Sequence, residues 1–121
     1  MAAFSLFFHY TIKSQFTRYF FIMSIIENNI EHISYLCSKH HVDSMAVFGS
    51  VLTDRFNKDS DIDFLVSFNA IPAEEYADNY IQLMLSLSEL LGHEVDLIED
   101  KAIRNPVFRS NVDRTKKQIY G

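Results

Sequence analysis

The amino-acid sequence predicts an α/β (α+β) fold, a small mixed β-sheet with helices packed on it, and three observations predict it. Apolar residues recur at helical spacing from Ser24 to about His41, and again from Tyr76 to Leu90. Short stretches at 45–48, 61–66 and 94–99 are apolar throughout or alternate with period two, as strands do. Strands and helices interleave over 121 residues that are 48% hydrophobic and 22% charged, which is the composition of one ordinary globular domain.

Residues 1–22 read unlike the rest, with six of the eleven Phe residues, two basic residues and no acid. His9, Lys13, Gln15 and Arg18 break their apolar runs, so the segment falls short of the roughly 20 apolar residues that a membrane span needs. The order of charge, apolar run and cleavage site is also wrong for a signal peptide. Ser24-Ile25-Ile26-Glu27 is a capping-box pattern that would open a helix, and Met23 just before it could serve as a start. Residues 1–22 are therefore expected to be an extension without function, and 23–121 the domain.

From Ser24 the stripe Ile26, Ile30, Ile33 and Cys37 predicts an amphipathic helix. His40 and His41 close it, a placement that suits positive charge at a helix C-terminus. Met45-Ala46-Val47-Phe48 predicts a buried strand ending in a turn at Gly49-Ser50. In the next strand Ile62, Phe64 and Val66 share one face, while Asp61, Asp63 and Leu65 share the other. Pro72 suits the first turn of a second helix, Glu74 and Glu75 suit its N-terminal dipole, and Gly92 ends it. A third strand runs from Glu94 to Glu99, with Val95 and Leu97 opposite Glu94, Asp96 and Ile98. Asn105-Pro106 marks a break, and the polar stretch from there to Tyr120 is expected to form a short helix.

The formal charge is -5, so no overall basic field is available to hold nucleic acid. Cys37, the single cysteine, can form no internal disulfide and no CxxC metal site, in keeping with a reducing cytoplasm. The five histidines show no metal-ligand spacing, and Ser50 lacks the flanking glycines of a hydrolase elbow. The Tyr76/Tyr80 stripe reads as core. Arg109, Arg114, Lys116 and Lys117 fit a solvated helix face, an acidic partner or phosphates.

The chemistry concentrates in the carboxylates. Asp61 and Asp63 on one strand face repel by about 4 kcal/mol at ~4 Å with an effective dielectric near 20. If Asp96 reaches the same face from a neighbouring strand, the natural counter-charge is one or two divalent cations with oxygen ligands, Mg²⁺ above all. Two such ions can activate an attacking oxygen and stabilise a leaving one at phosphorus. Alternating acids also occur on half-solvated strands, so the pair alone leaves both readings open. The preceding Gly49-Ser50 turn, a candidate phosphate cradle, favours phosphoryl or nucleotidyl transfer.

The stretch GSVLTDRFNKDSDIDFLV (49–66) resembles the G-S-x(n)-D-x-D signature of the DNA polymerase beta nucleotidyltransferase superfamily. The brevity of the chain is similar to that of the MNT-type minimal members, and the likeness runs from about Met23 to Gly121. It implies Gly49, Ser50 and Ser60 at the nucleotide, Asp61, Asp63 and Asp96 on two Mg²⁺ ions, and Asp96 assisting deprotonation of the acceptor hydroxyl. ATP is the nucleotide it implies. Thr53 and Asp54 depart from the Arg-Gly pair of many relatives, with Arg55 and Lys58 as nearby substitutes.

So short a chain leaves little room for an acceptor domain, so another chain is expected to supply the acceptor. In MNT-type relatives that chain is a helical HEPN toxin whose tyrosine is adenylylated, and the resemblance implies the antitoxin role. Two alternatives are a small-molecule nucleotidyltransferase of the aminoglycoside-modifying kind and a noncatalytic toxin-binding module.

Overall fold

The computed structural model describes residues 19–48 and 62–121. Residues 19–28 are helical (α1), and α2 follows at Ile30–Lys39. Between them Asn29 turns its side chain onto the Ile25 carbonyl at 2.8 Å, the local competition that makes asparagine a helix breaker. Then come β1 (Val42–Val47), β2 (Ile62–Phe68), α3 (Ala73–Leu91), β3 (Val95–Glu99), a 3-10 turn (Asp100–Ala102), α4 (Pro106–Thr115) and β4 (Lys117–Tyr120).

Two expectations about the ends of this layout are corrected. Ser24 opens no helix, because α1 is already running at residue 19 and Ser24 lies exposed within it. The upstream residues Ile22 and Met23 pack into the core together with Ile26, and that burial overrides the local capping signal. α1 therefore runs without a break across residues 22 and 23. At the other end, the predicted short helix stops at Thr115 and the chain goes on into a strand, β4. Asn105 caps α4 by accepting from the Val107 and Phe108 N–H groups, at 2.9 and 3.1 Å, with Pro106 in the first turn.

The four strands form one mixed sheet in the order β3-β2-β1-β4. β1 pairs antiparallel with both β2 and β4, whereas β2 and β3 are parallel and joined through α3. Gly92 ends α3 in the left-handed conformation at φ 70°, its N–H donating to the Ser88 carbonyl at 2.9 Å.

The period-two pattern sorts the core into two faces. Met45, Val47, Ile62, Phe64, Val66, Val95 and Leu97 face α1, α2 and α3, meeting Ile26, Ile33, Cys37, Leu83 and Leu87. On the other face Ala46, Phe48 and Leu65 are covered by Val112 of α4, with Ile98 and Phe108 beside them. β2 is therefore buried on both sides, as a central strand with a parallel neighbour usually is.

Two buried titratable groups give measurable consequences. Cys37 is fully enclosed, with its Sγ 3.8 Å from Met45 Sδ, and burial pushes its pKa up to about 12. Native protein at about pH 8 is expected to resist thiol reagents and to react only once denatured, since the thiolate is the nucleophile. Rapid labelling of the native form would contradict this burial.

His40, expected as a positive charge at a helix end, instead caps α2 from a buried position. Asn79 donates its Nδ2 to the His40 carbonyl at 2.7 Å, and its Oδ1 lies 3.3 Å from the ring Nδ1. Burial lowers the pKa of His40, and Lys39 and His41 reinforce the shift. The unfolded chain therefore takes up this proton more readily than the folded one. Stability from this group is complete above about pH 6.5 and declines as the pH falls through that value. The melting temperature is expected to drop between about pH 7.5 and pH 5.5, by less in His40→Gln, and an equal drop in both would exclude His40 as the cause.

Candidate active site

β2 and β3 run side by side in a register that sets Asp63 opposite Asp96. Adjacent strands lie about 4.8 Å apart, so the two carboxylates share one stretch of the α4-bearing face. Asp63 is only 4% exposed, which excludes a solvated strand surface for it, and Asp96 is half-buried. The pKa of Asp96 is raised, first by burial and then by the negative charge of Asp63. A like-charged pair withdrawn from water in this way suits a bound cation.

The Phe48 N–H donates to the Asp63 carbonyl at 3.3 Å, so β1 ends level with Asp63 just before Gly49. On β2, Ile62 N–H donates to the Glu94 carbonyl at 3.1 Å, immediately after Asp61 in the chain. The predicted site residues Gly49, Ser50, Ser60 and Asp61, and also Thr53, Asp54, Arg55 and Lys58, lie outside the described residues. Among the described residues no group of three or more His, Cys, Asp or Glu is placed to hold a metal, and Asp63 with Asp96 is the pair that the fold brings together.

The C-terminal cations, left open from sequence, have local partners. Arg109 Nη1 lies 2.8 Å from Asp100 Oδ1 and 3.1 Å from Asp113 Oδ1, and its Nη2 donates to the Asp100 carbonyl at 2.6 Å. It ties the end of β3 to α4. Arg114 donates to Asn111 at 2.8 Å, Lys116 lies 3.2 Å from Asp113, and Lys117 lies 3.9 Å from Glu27. A hollow of about 310 Å³ opens on the same sheet face, lined by Ser44, Leu65, Ser67, Lys116 and Gln118 among others. Ser67 stands four residues beyond Asp63, about 13 Å along the strand, so the far end of this hollow is out of reach of atoms reacting at the carboxylates.

The Tyr80 ring is half-buried and packs against the core, in line with the apolar stripe of the sequence. Its hydroxyl, however, donates to the Leu97 carbonyl, next to Asp96. The signal was available as a polar atom on an otherwise apolar helical stripe facing a strand.

The sequence profile of the nucleotidyltransferase domain matches residues 30–119, which takes in both carboxylates. The chain belongs to this family. A candidate protein adenylyltransferase of Methanocaldococcus jannaschii is 34% identical over 83 residues, covering 69% of this nucleotidyltransferase and 82% of that protein. The protein adenylyltransferase MntA of Thermococcus cleftensis is 32% identical over 79 residues, covering 65% and 77%. Among solved structures, a candidate minimal nucleotidyltransferase superposes with a TM-score of 0.58 at 30% identity, covering 76% of this chain and 90% of that one. A complex of a tri-AMPylated Shewanella oneidensis HEPN toxin with an MNT antitoxin superposes with a TM-score of 0.54 at 20% identity, covering 78% and 71%. At that identity the likeness speaks for the fold, which is that of the minimal nucleotidyltransferases.

Proposed function

We propose that this nucleotidyltransferase transfers AMP from ATP to a tyrosine hydroxyl of a HEPN-type toxin, and so acts as the antitoxin of the pair. The observation that carries the reading is the register pairing of Asp63 with Asp96 on one face of the sheet. The relatives named as protein adenylyltransferases support a protein acceptor, and the HEPN complexes among solved structures of the same fold support its class.

Asp63 and Asp96, joined by Asp61, would hold Mg²⁺, because clustered carboxylate oxygens are the donor set that ion prefers. When bound, magnesium supplies positive charge at the phosphates and lowers the cost of developing negative charge. Gly49, Ser50 and Ser60 take the nucleotide. Asp96 accepts the proton of the attacking hydroxyl. The hydroxyl oxygen bonds to the α-phosphorus, the bond to the bridging oxygen breaks, and pyrophosphate leaves.

The test is intact-mass spectrometry of a HEPN-type toxin incubated with the nucleotidyltransferase and Mg²⁺-ATP, with Asp63→Asn/Asp96→Asn as control. An adenylyl-sized gain that vanishes in the control is expected. A toxin left unmodified but still neutralised, by wild type and control alike, would replace this reading with the noncatalytic binding module. Turnover of small hydroxylated acceptors without any protein partner would replace it with the small-molecule enzyme.

A further inference from the structure

Among the described residues β3 is an edge strand, with β2 as its neighbour in the sheet. The Glu94 carbonyl accepts from Ile62 of β2, so the backbone groups of the even-numbered residues of β3 turn toward β2 and those of Val95, Leu97 and Glu99 turn outward. Outward-facing backbone on an edge strand ordinarily meets water or another strand. Here it meets α3. Ser88 Oγ accepts from the Val95 N–H at 3.2 Å, and the Tyr80 hydroxyl donates to the Leu97 carbonyl. Tyr76, one turn earlier, brings its buried hydroxyl toward Glu99 without completing a hydrogen bond of ordinary geometry. These residues repeat at multiples of four, so one helical stripe runs along the strand edge.

The two completed bonds bracket one residue. Asp96 has its preceding N–H held by Ser88 and its following C=O held by Tyr80, while its own backbone faces β2. We propose that Tyr80 and Ser88 are positioning residues for Asp96, standing in for a missing strand so that its carboxylate stays opposed to Asp63 although β3 lies at the sheet edge. This rests on the reading of Asp63 and Asp96 as metal-binding groups. Supports of this kind matter because a ligand displaced by a fraction of an ångström no longer shares an ion with its partner.

The experiment is calorimetric titration of Mn²⁺ alone into the full chain as wild type, Tyr80→Phe, Ser88→Ala, Asp96→Asn and Cys37→Ala. Cys37→Ala removes a buried atom from α2, away from the β3 edge, and controls for general loosening. Tyr80→Phe and Ser88→Ala are each expected to weaken Mn²⁺ binding about tenfold, the lower end for groups that support a metal ligand, and Cys37→Ala to leave it unchanged. Wild-type affinity in both α3 variants, with binding lost in Asp96→Asn, would overturn the positioning role and leave the metal site standing. Equal weakening in Cys37→Ala would overturn it as well. Asp96→Asn binding Mn²⁺ as tightly as wild type would overturn the metal site and the positioning role together. Should Tyr80→Phe fail to fold, Ser88→Ala, which loses a single oxygen, decides the matter.

Discussion

Asp63→Asn is expected to reduce adenylyl transfer by at least about 100-fold without unfolding the protein. The side chain sits on β2, 4% exposed, facing Asp96 across the parallel pair. Asparagine keeps the size and loses the charge, so the packing around Phe64 and Leu65 should survive. The metal-free protein should even gain in one respect. Burial, and secondarily Asp63, raise the pKa of Asp96, so the folded state holds that proton more tightly than the unfolded chain. The stabilisation is complete below the ordinary aspartate pKa and is lost as the pH rises through the raised one. Removing the charge of Asp63 is expected to flatten that decline. Toxin modification by mass, together with melting temperatures from about pH 4 to pH 8 in chelator, checks both halves. Full transfer by the variant would mean that the carboxylate pair does not carry the reaction.

Phe64→Ala is expected to be the most damaging single change to the fold. Phe64 has no exposed surface and is among the largest fully buried side chains, standing on the central strand between Asp63 and Leu65. Emptying such a position costs about 3–5 kcal/mol through lost transfer energy and the cavity left behind. For a chain of this length that corresponds to a fall of roughly 10–20 °C in melting temperature. Urea denaturation should show a lower midpoint with a similar slope. A midpoint within experimental error of wild type would mean that the helices close over the gap.

Patterns that arise within a few residues of each other were readable from sequence. The alternation in 61–66 and 94–99 put Asp63 and Asp96 on corresponding faces because a side chain's face on a strand depends only on parity, and the parallel register then joined them. α3 was equally plain, with its apolar stripe and Gly92 stop. β4 was not, because Lys117-Gln118-Ile119-Tyr120 has no strand period of its own and is held by pairing with β1, far away in the chain. Ser24 misled because a cap is a local preference, while Ile22 and Met23 gain more by packing on the core. His40 misled because helix position says nothing of burial. The links from Tyr80 and Ser88 to β3 require knowing which strand ends up at the sheet edge, and that is a property of topology.

The strand order also bears on when the protein becomes competent. β1 and β2 are neighbours both in the chain and in the sheet, so they can pair early. β3 reaches β2 only after α3 has crossed over, and β1 receives its second neighbour from residues 117–120, with Met45 opposite Tyr120. Such distant pairings are closed late, because the chain entropy of the intervening loop is lost before any contact compensates for it. A growing chain on the ribosome therefore carries Asp63 well before it carries Asp96, and β4 joins β1 only after β3 has been made. Until β3 has paired with β2 the carboxylates are two separate acids on a partly formed sheet, so the pair is assembled only after α3 has crossed over.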